Sequence, residues 1–167
     1  MKLLCVLVVF LLVMSPAVHA QDRSRVRALD AIAQDGLEHG LERSPLFQNL
    51  VAALDESDVI VHVVSACWLL AGAAGTTQMV AAAHGQRYVR IAIDARLRRD
   101  MYAATLGHEL QHAVELARSE ASDVEAVRVL YLKIGHSVIG TINTFDTDAA
   151  VEAGERVWTE LHMGRNR

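Results

Sequence analysis

The sequence predicts an α+β fold, in which a small mixed or antiparallel sheet of about four strands is followed by helices. Runs rich in β-branched residues, separated by turn residues, lie before residue 95, whereas helical spacing of apolar residues dominates from residue 99 onwards. No internal repeat or low-complexity linker interrupts residues 21–167, so we expect them to form a single domain.

The first twenty residues predict a cleaved secretory signal peptide. Met1-Lys2 precedes an apolar block from Leu3 to Met14, and small side chains precede a cut after Ala20. The block is too short to span a bilayer comfortably, and Cys5 lies too early in it to be a lipid-attachment site. The remaining chain is therefore expected to be secreted or periplasmic, without stable membrane insertion.

The charge balance argues against a nucleic-acid partner. The formal net charge of the sequence is −4, and removal of Lys2 with the signal peptide makes it one unit more negative. Nucleic acids and anionic membrane surfaces need a clustered basic footprint. One local arginine run is interpreted as a solvated strand edge and turn: Arg87, Arg90, Arg96, Arg98 and Arg99.

Helical and turn patterns open the predicted domain. Residues 24–34 are weakly helical, and Gly36 and Gly40 are expected to break that pattern. Ser44-Pro45 is typical of a helix start, with a capping hydroxyl followed by proline at the first helical position, and predicts a helix over Pro45–Leu54.

Strand patterns follow. The run from Val59 to Val64 is β-branched almost throughout and predicts a strand that is covered on both faces. Segments 69–74, 78–83 and 88–93 are separated by turn residues at 75–77 and 84–86, which predicts an antiparallel meander. Together these four segments account for the expected sheet.

Three helices are predicted after the sheet. The first spans roughly residues 100–118, with Asp100 as its cap and a buried face formed by Leu106, Leu110, Ala113 and Ala117. The second opens with a capping box over Ser122–Glu125 and runs to about Ile134. After an irregular or extended segment at 136–144, the third covers Ala149 to about His162 and closes at Gly164.

The first of these helices carries the motif His108-Glu109-Leu110-Gln111-His112. Residues four apart lie one turn above each other on a helix, so His108 and His112 present two imidazoles to the same point. Two such imidazoles suit one tetrahedral Zn²⁺. Glu109 lies about 100° round the helix axis, where a carboxylate can act as general base on a water activated by the metal.

The motif and the order of elements resemble those of the zincin metallopeptidases, in which a sheet precedes the helix that bears H-E-x-x-H. The resemblance covers these features and not the whole chain. It implies that His108 and His112 bind one zinc ion, that Glu109 is the catalytic base, and that the edge strand of the sheet aligns an extended peptide substrate. The metzincin subgroup is excluded, because the chain continues Ala113-Val114-Glu115-Leu116 after the motif.

The resemblance then implies a gluzincin-like site, which is completed by a carboxylate from a later helix. We favour Asp146 as this third zinc ligand, since it lies 34 residues after His112 at the start of the last helix. Either Asp146 or Asp148 is equally suited to cap that helix. Glu152 is a further alternative, and Glu115 is expected to orient His112 or to be an alternative ligand.

Two residues are candidates for stabilising an oxyanion, Tyr131 and His136, on the basis of residue type alone. The leading functional hypothesis is an exported zinc-dependent hydrolase, a metallopeptidase in which water activated by zinc and Glu109 attacks the carbonyl of a peptide or protein substrate. The alternative is a non-catalytic, zinc-stabilised binding or structural module of the cell envelope. A metal-free protein with a fortuitous motif would instead bind less than one zinc per chain.

Overall fold

The computed structural model describes residues 24–69, 72–138 and 144–163. The predicted signal peptide and its cut after Ala20 lie outside these residues, as does Gly164. Within the described ranges the helices are α1 Ala31–Arg43, α2 Pro45–Asp55, α3 Arg99–Ala117, α4 Val124–Ile134 and α5 Asp148–Met163. The strands are β1 Val26–Ala28, β2 Val59–Ala66, β3 Gly75–Ala83, β4 Gln86–Asp94, β5 His136–Ser137 and β6 Phe145–Asp146. The α+β prediction is confirmed.

The main sheet is mixed and has the strand order β1-β2-β4-β3. β2 pairs in parallel with both β1 and β4, whereas β3 pairs antiparallel with β4. β2 lies in the interior of the sheet, which explains its β-branched run, since Val59, Val61 and Val63 are fully buried. β3 is left as an edge strand in the part of the chain that the structure describes.

The predicted number of main-sheet strands is right, but the predicted set is wrong. Residues 69 and 72–74 lie outside any strand, and residues 70–71 lie outside the described residues. The fourth strand is β1, in the segment that we predicted to be weakly helical. Val26 pairs with Val61 and is buried, so a partner from elsewhere in the chain, and not local periodicity, makes this three-residue segment a strand.

The two glycines predicted to break a helix lie inside α1. A Cβ atom on Gly36 would overlap the ring of Tyr102, and one on Gly40 would lie 2.6 Å from the ring of Phe47. These glycines therefore allow aromatic side chains to pack directly against the α1 backbone, which outweighs the low helix propensity of glycine. The Ser44-Pro45 start of α2 is confirmed, since the Ser44 hydroxyl accepts a hydrogen bond from the Phe47 amide at 3.0 Å.

The motif helix α3 packs its predicted face into the core. Leu106, Leu110 and Ala113 are fully buried. The predicted cap was wrong, because the capping position is Arg98 and makes no side-chain hydrogen bond to the helix. Asp100 lies in the first turn of α3, where its carboxylate pairs with His39 at 2.7 Å.

Arg87 fixes the carboxyl end of α3. Its guanidinium donates hydrogen bonds at 2.7 to 3.1 Å to backbone carbonyls at and just beyond that end, those of Leu116, Ser119 and Ala121. Asp58 accepts two further bonds from it, at 2.6 and 2.8 Å. Arg87 is therefore buried, contrary to the solvated role predicted for the arginine run. It ties the start of β4 to the end of the helix that carries the motif.

We expect Arg87→Met to lower the free energy of unfolding by about 2–3 kcal/mol, because buried carbonyls and a carboxylate would lose charge-assisted donors. Urea unfolding of the variant and the parent measures this. Arg90→Met is the matched control, since Arg90 lies on the same strand and is exposed. Equal losses in the two variants would contradict the anchoring role.

The other two predicted helices are present with small corrections. Asp123, not Ser122, caps α4 by accepting a hydrogen bond from the Ala126 amide at 2.8 Å, and Glu125 pairs with Arg128 instead of closing a capping box. β5 lies within residues 136–144, the segment predicted to be irregular or extended. It pairs antiparallel with β6, which follows that segment. Across the described ranges, no helix combines the length and apolarity that crossing a bilayer requires.

Candidate metal centre

The structure brings three of the predicted ligand residues together. The Nε2 atom of His108 lies 3.3 Å from Oδ1 of Asp146, and Nε2 of His112 lies 3.5 Å from the same oxygen. One ligand atom from each of the three side chains lies within 4.8 Å of the others. In the described part of the chain, no other group of His, Cys, Asp and Glu side chains meets this criterion.

These separations suit a tetrahedral ion better than a direct ion pair. With metal–ligand distances of about 2.0–2.1 Å, the ligand atoms of a tetrahedral zinc site lie roughly 3.3 Å apart. A direct charge-assisted hydrogen bond is shorter, about 2.7–2.9 Å. The observed 3.3 and 3.5 Å match the first arrangement. Two imidazoles and one carboxylate are also the donor set of many catalytic zinc sites, so the residues present fit the ion.

Thr147, and neither of the neighbouring aspartates, caps α5. Its hydroxyl accepts a hydrogen bond from the Ala150 amide at 3.1 Å. The Asp146 carboxylate instead accepts a bond from the Thr147 amide at 2.7 Å, which holds it towards the two histidines. Asp148 and Glu152 are exposed and do not belong to the cluster.

The imidazole of His112 is held from its far side. Nδ1 of His112 lies 3.0 Å from Oε2 of Glu115, whose other oxygen accepts a bond from the Thr147 hydroxyl at 2.7 Å. Such contacts fix the orientation of a ligand imidazole and leave its Nε2 atom aimed at the metal. Glu115 thus occupies the orienting position and contacts the nitrogen remote from Asp146.

The charges of the cluster differ between the two histidines. Burial lowers the pKa of His112, but the nearby carboxylates of Asp146 and Glu115 outweigh burial and raise the pKa to about 9. Burial, followed by the charge of His112, lowers the pKa of His108. In the metal-free chain at neutral pH, His112 therefore carries a proton that a metal ion must displace.

We expect Glu115→Ala to weaken zinc binding by about tenfold to a hundredfold, because His112 would lose the partner that orients its ring. Competition with a zinc chelator of known affinity measures the change. Glu125→Ala is the matched control, since Glu125 is exposed and pairs only along α4 with Arg128. Unchanged affinity in Glu115→Ala would remove the orienting role.

Glu109 is buried beside the cluster and is held by the edge strand. Only 5% of its surface is exposed, and burial raises the pKa of its carboxyl. The Thr77 hydroxyl lies 2.6 Å from Oε2 of Glu109 and donates to it. A Cβ atom on Gly75 would lie 2.6 Å from Oε1, so only glycine at this position leaves room for the carboxylate.

The two oxyanion candidates lie in different surroundings. The buried Tyr131 hydroxyl donates to the backbone carbonyl of His112 at 3.1 Å, and its ring packs edge-on against that imidazole, 5.5 Å between centroids. Tyr131 therefore supports the motif helix, and its hydroxyl is already engaged. His136 is exposed, and its nearest acidic partner is Asp148 at 4.0 Å. Neither arrangement favours the predicted oxyanion role.

The cluster opens into a cleft of about 1560 Å³. Residues of α3, among them His108, Glu109 and His112, line this cleft together with residues of β3, α4, β6 and α5. The ligand atoms are thus accessible from a space large enough for several residues of a peptide.

Sequence patterns did not indicate three of the residues that shape this site. The turn predicted at residues 75–77 contains Gly75 and Thr77, and Thr147 lies between two aspartates that are themselves good helix caps. Gly75 and Thr77 contact Glu109, and Thr147 contacts Glu115, so each contact joins residues more than thirty positions apart. Thr147 also caps a helix next to two aspartates, which are stronger capping candidates by residue type. The pattern Thr147-x-x-Ala150 at the start of a helix was the one local indication for Thr147.

Comparison of the chain with protein-family models, with curated proteins and with solved structures gives no match.

Proposed function

We propose that this protein is an exported zinc-dependent hydrolase of zincin-like type, a metallopeptidase that acts on peptide or protein substrates. The observation that carries this proposal is the meeting of three ligand atoms from His108, His112 and Asp146 next to the buried carboxylate of Glu109, at the side of a large cleft. Export rests on the signal-peptide pattern of the sequence.

The roles of the side chains follow from their positions. His108, His112 and Asp146 would hold one zinc ion, which supplies a Lewis acid that polarises water and a substrate carbonyl. Glu109 takes a proton from the attacking water and returns it to the leaving amine. Burial raises the pKa of Glu109, which favours its acceptance of a proton, and Thr77 holds the carboxylate in place.

The edge strand offers backbone groups for a peptide. The Asp94 amide donates to the Ala74 carbonyl at 2.9 Å, which makes these two residues a hydrogen-bonded pair of the β3–β4 ladder. Because such pairs alternate along an antiparallel ladder, the N–H and C=O groups of Gly75 and Thr77 point away from β4. An extended peptide can add to this edge as a further strand, directly beside Glu109.

A non-catalytic role for zinc is the second candidate. α4 has a single buried residue, Tyr131, so few apolar contacts attach it to the rest of the chain. A metal ion that joined Asp146 to α3 would fasten this region, as structural zinc does in small domains. This candidate predicts that removal of zinc unfolds the region, and that no hydrolysis is measurable before removal.

The test is zinc content and hydrolysis on the same sample. We expect the chain from residue 21, purified without added metal, to contain about one zinc and to cleave an unfolded protein substrate. A chelator should abolish cleavage, and zinc should restore it. Stoichiometric zinc without cleavage of any peptide library would support the structural alternative, and substoichiometric zinc would overturn both.

A further inference from the structure

The lining of the cleft extends beyond the metal cluster to two groups of helical residues. On one side α3 and α5 form a first apolar arm, lined by Met101, Val151 and Trp158, whose surfaces are 42%, 39% and 38% exposed. On the other side α4 forms a second apolar arm, lined by Val124 and Val127. The ligand residues His108 and His112 lie between the two arms along α3.

The first apolar arm is long enough for several substrate residues. Met101 precedes His108 by seven positions on α3, which corresponds to about 10 Å along the helix axis. An extended peptide advances by about 3.3 Å per residue, so roughly three residues fit between the cluster and Met101. β3 runs along the same cleft, with Gly75 to Met79 among its lining residues.

The indole of Trp158 is held at the wall of the first apolar arm. Its ring centroid lies 4.0 Å from that of His162, whose Nδ1 atom is 2.7 Å from the Trp158 carbonyl oxygen. These contacts restrain the indole, and 38% of the residue surface stays exposed. Trp158 is one of the residues that line the cleft. A fixed aromatic surface can bind an apolar side chain with little loss of conformational entropy.

The charges of the cleft disfavour acidic substrates. Among the described lining residues Arg128 is the single arginine or lysine, and it already forms three hydrogen bonds to Glu125. Glu155 adds a negative charge beside the first apolar arm. An acidic side chain would therefore lose its hydration without gaining a partner, whereas an apolar one would be removed from water.

We propose that the cleft binds the interior of an extended peptide on both sides of the metal cluster, and that the first apolar arm receives a large apolar side chain. The protein would then act as an endopeptidase with a preference for apolar residues near the cleaved bond. This inference rests on the proposed peptidase function for its cleavage step. Its binding step depends on Met101, Val151 and Trp158 and is measurable without turnover.

The experiment uses ten-residue fluorescent peptides that are acetylated and amidated at their ends, with leucine, alanine or aspartate at the central positions. Binding to the zinc-loaded Glu109→Gln variant is measured by anisotropy, and cleavage by the parent chain by mass spectrometry. Trp158→Ala is introduced into both backgrounds. Trp68→Ala is the matched control, because Trp68 is 84% exposed and lies outside the cleft lining. Met101→Ser serves as a second variant should Trp158→Ala unfold.

We expect internal cleavage beside leucine, and binding of the leucine peptide that Trp158→Ala or Met101→Ser weakens by about tenfold while the alanine peptide changes little. Trp68→Ala should leave both unchanged. Cleavage of an unblocked copy of the leucine peptide at its free ends alone, with the blocked peptide left intact, would overturn the inference and leave the hydrolase proposal standing. Equal binding of leucine and aspartate peptides would do the same. Selective binding of the leucine peptide without any cleavage would support the apolar arm and overturn the hydrolase proposal.

Discussion

Replacement of Glu109 by glutamine is expected to leave zinc bound and to lower kcat by about a hundredfold to ten-thousandfold, the range typical of losing a general base. Glutamine keeps the size of the side chain and can still accept the hydrogen bond from Thr77. The site should therefore stay intact while the group that takes the proton is lost. Zinc content by mass spectrometry and steady-state hydrolysis of one peptide, on the same preparation, measure the two effects.

Glu120→Gln is the control for this experiment, because it makes the same chemical change at an exposed residue just beyond α3. It should leave kcat and zinc content at the parent values. Hydrolysis by Glu109→Gln at the parent rate would show that another group activates the water. Loss of zinc in Glu109→Gln would instead indicate that Glu109 is a ligand, in conflict with its position beside the cluster.

The second large effect concerns the third ligand. Asp146→Ala should reduce the zinc content of the purified chain from about one per molecule to near zero, because two imidazoles alone leave the tetrahedral site half filled. His112→Ala should do the same. Asp148→Ala is a stringent control, since it removes the same group two positions away, from a side chain that is fully exposed.

The pattern of loss also tests the alternative ligand. Zinc retained in Asp146→Ala and lost in Glu115→Ala would transfer the ligand role to Glu115. Thermal unfolding of each variant with excess chelator separates lost zinc from lost fold, since ligand substitutions should then unfold near the temperature of the metal-free parent.

The part of the site that comes from one helix was predictable from the sequence. His108 and His112 face the same point because they are four residues apart on α3, and their rings lie 5.0 Å apart between centroids. Asp146, the third residue of the cluster, could only be favoured as a ligand from its position in the sequence. It lies 34 residues after His112 and reaches the two histidines only when the chain folds. Thr147 is the residue that caps α5, and this role depends on backbone geometry that composition does not show.

The fold shows the same division between local and long-range causes. The valine run of β2 and the Ser44-Pro45 helix start are properties of neighbouring residues, and both were predicted. β1 was missed because its three residues become a strand only through pairing with Val61 to Val63. The prediction of a solvated Arg87 was wrong because a charged residue is usually solvated. Here backbone carbonyls at the end of α3 and the Asp58 carboxylate replace the water that the buried guanidinium loses.

The contact between Thr77 and Glu109 changes how related proteins can be recognised. Five residues with three fixed letters match many unrelated chains, and a search on them alone collects chance examples. The structure adds companions that the motif needs in this chain: Gly75-x-Thr77 before it, a glutamate three positions after its second histidine, and Asp146-Thr147 ahead of a helix. A search profile built from these separated pieces would select chains able to assemble the same pocket and reject those that share only the five letters.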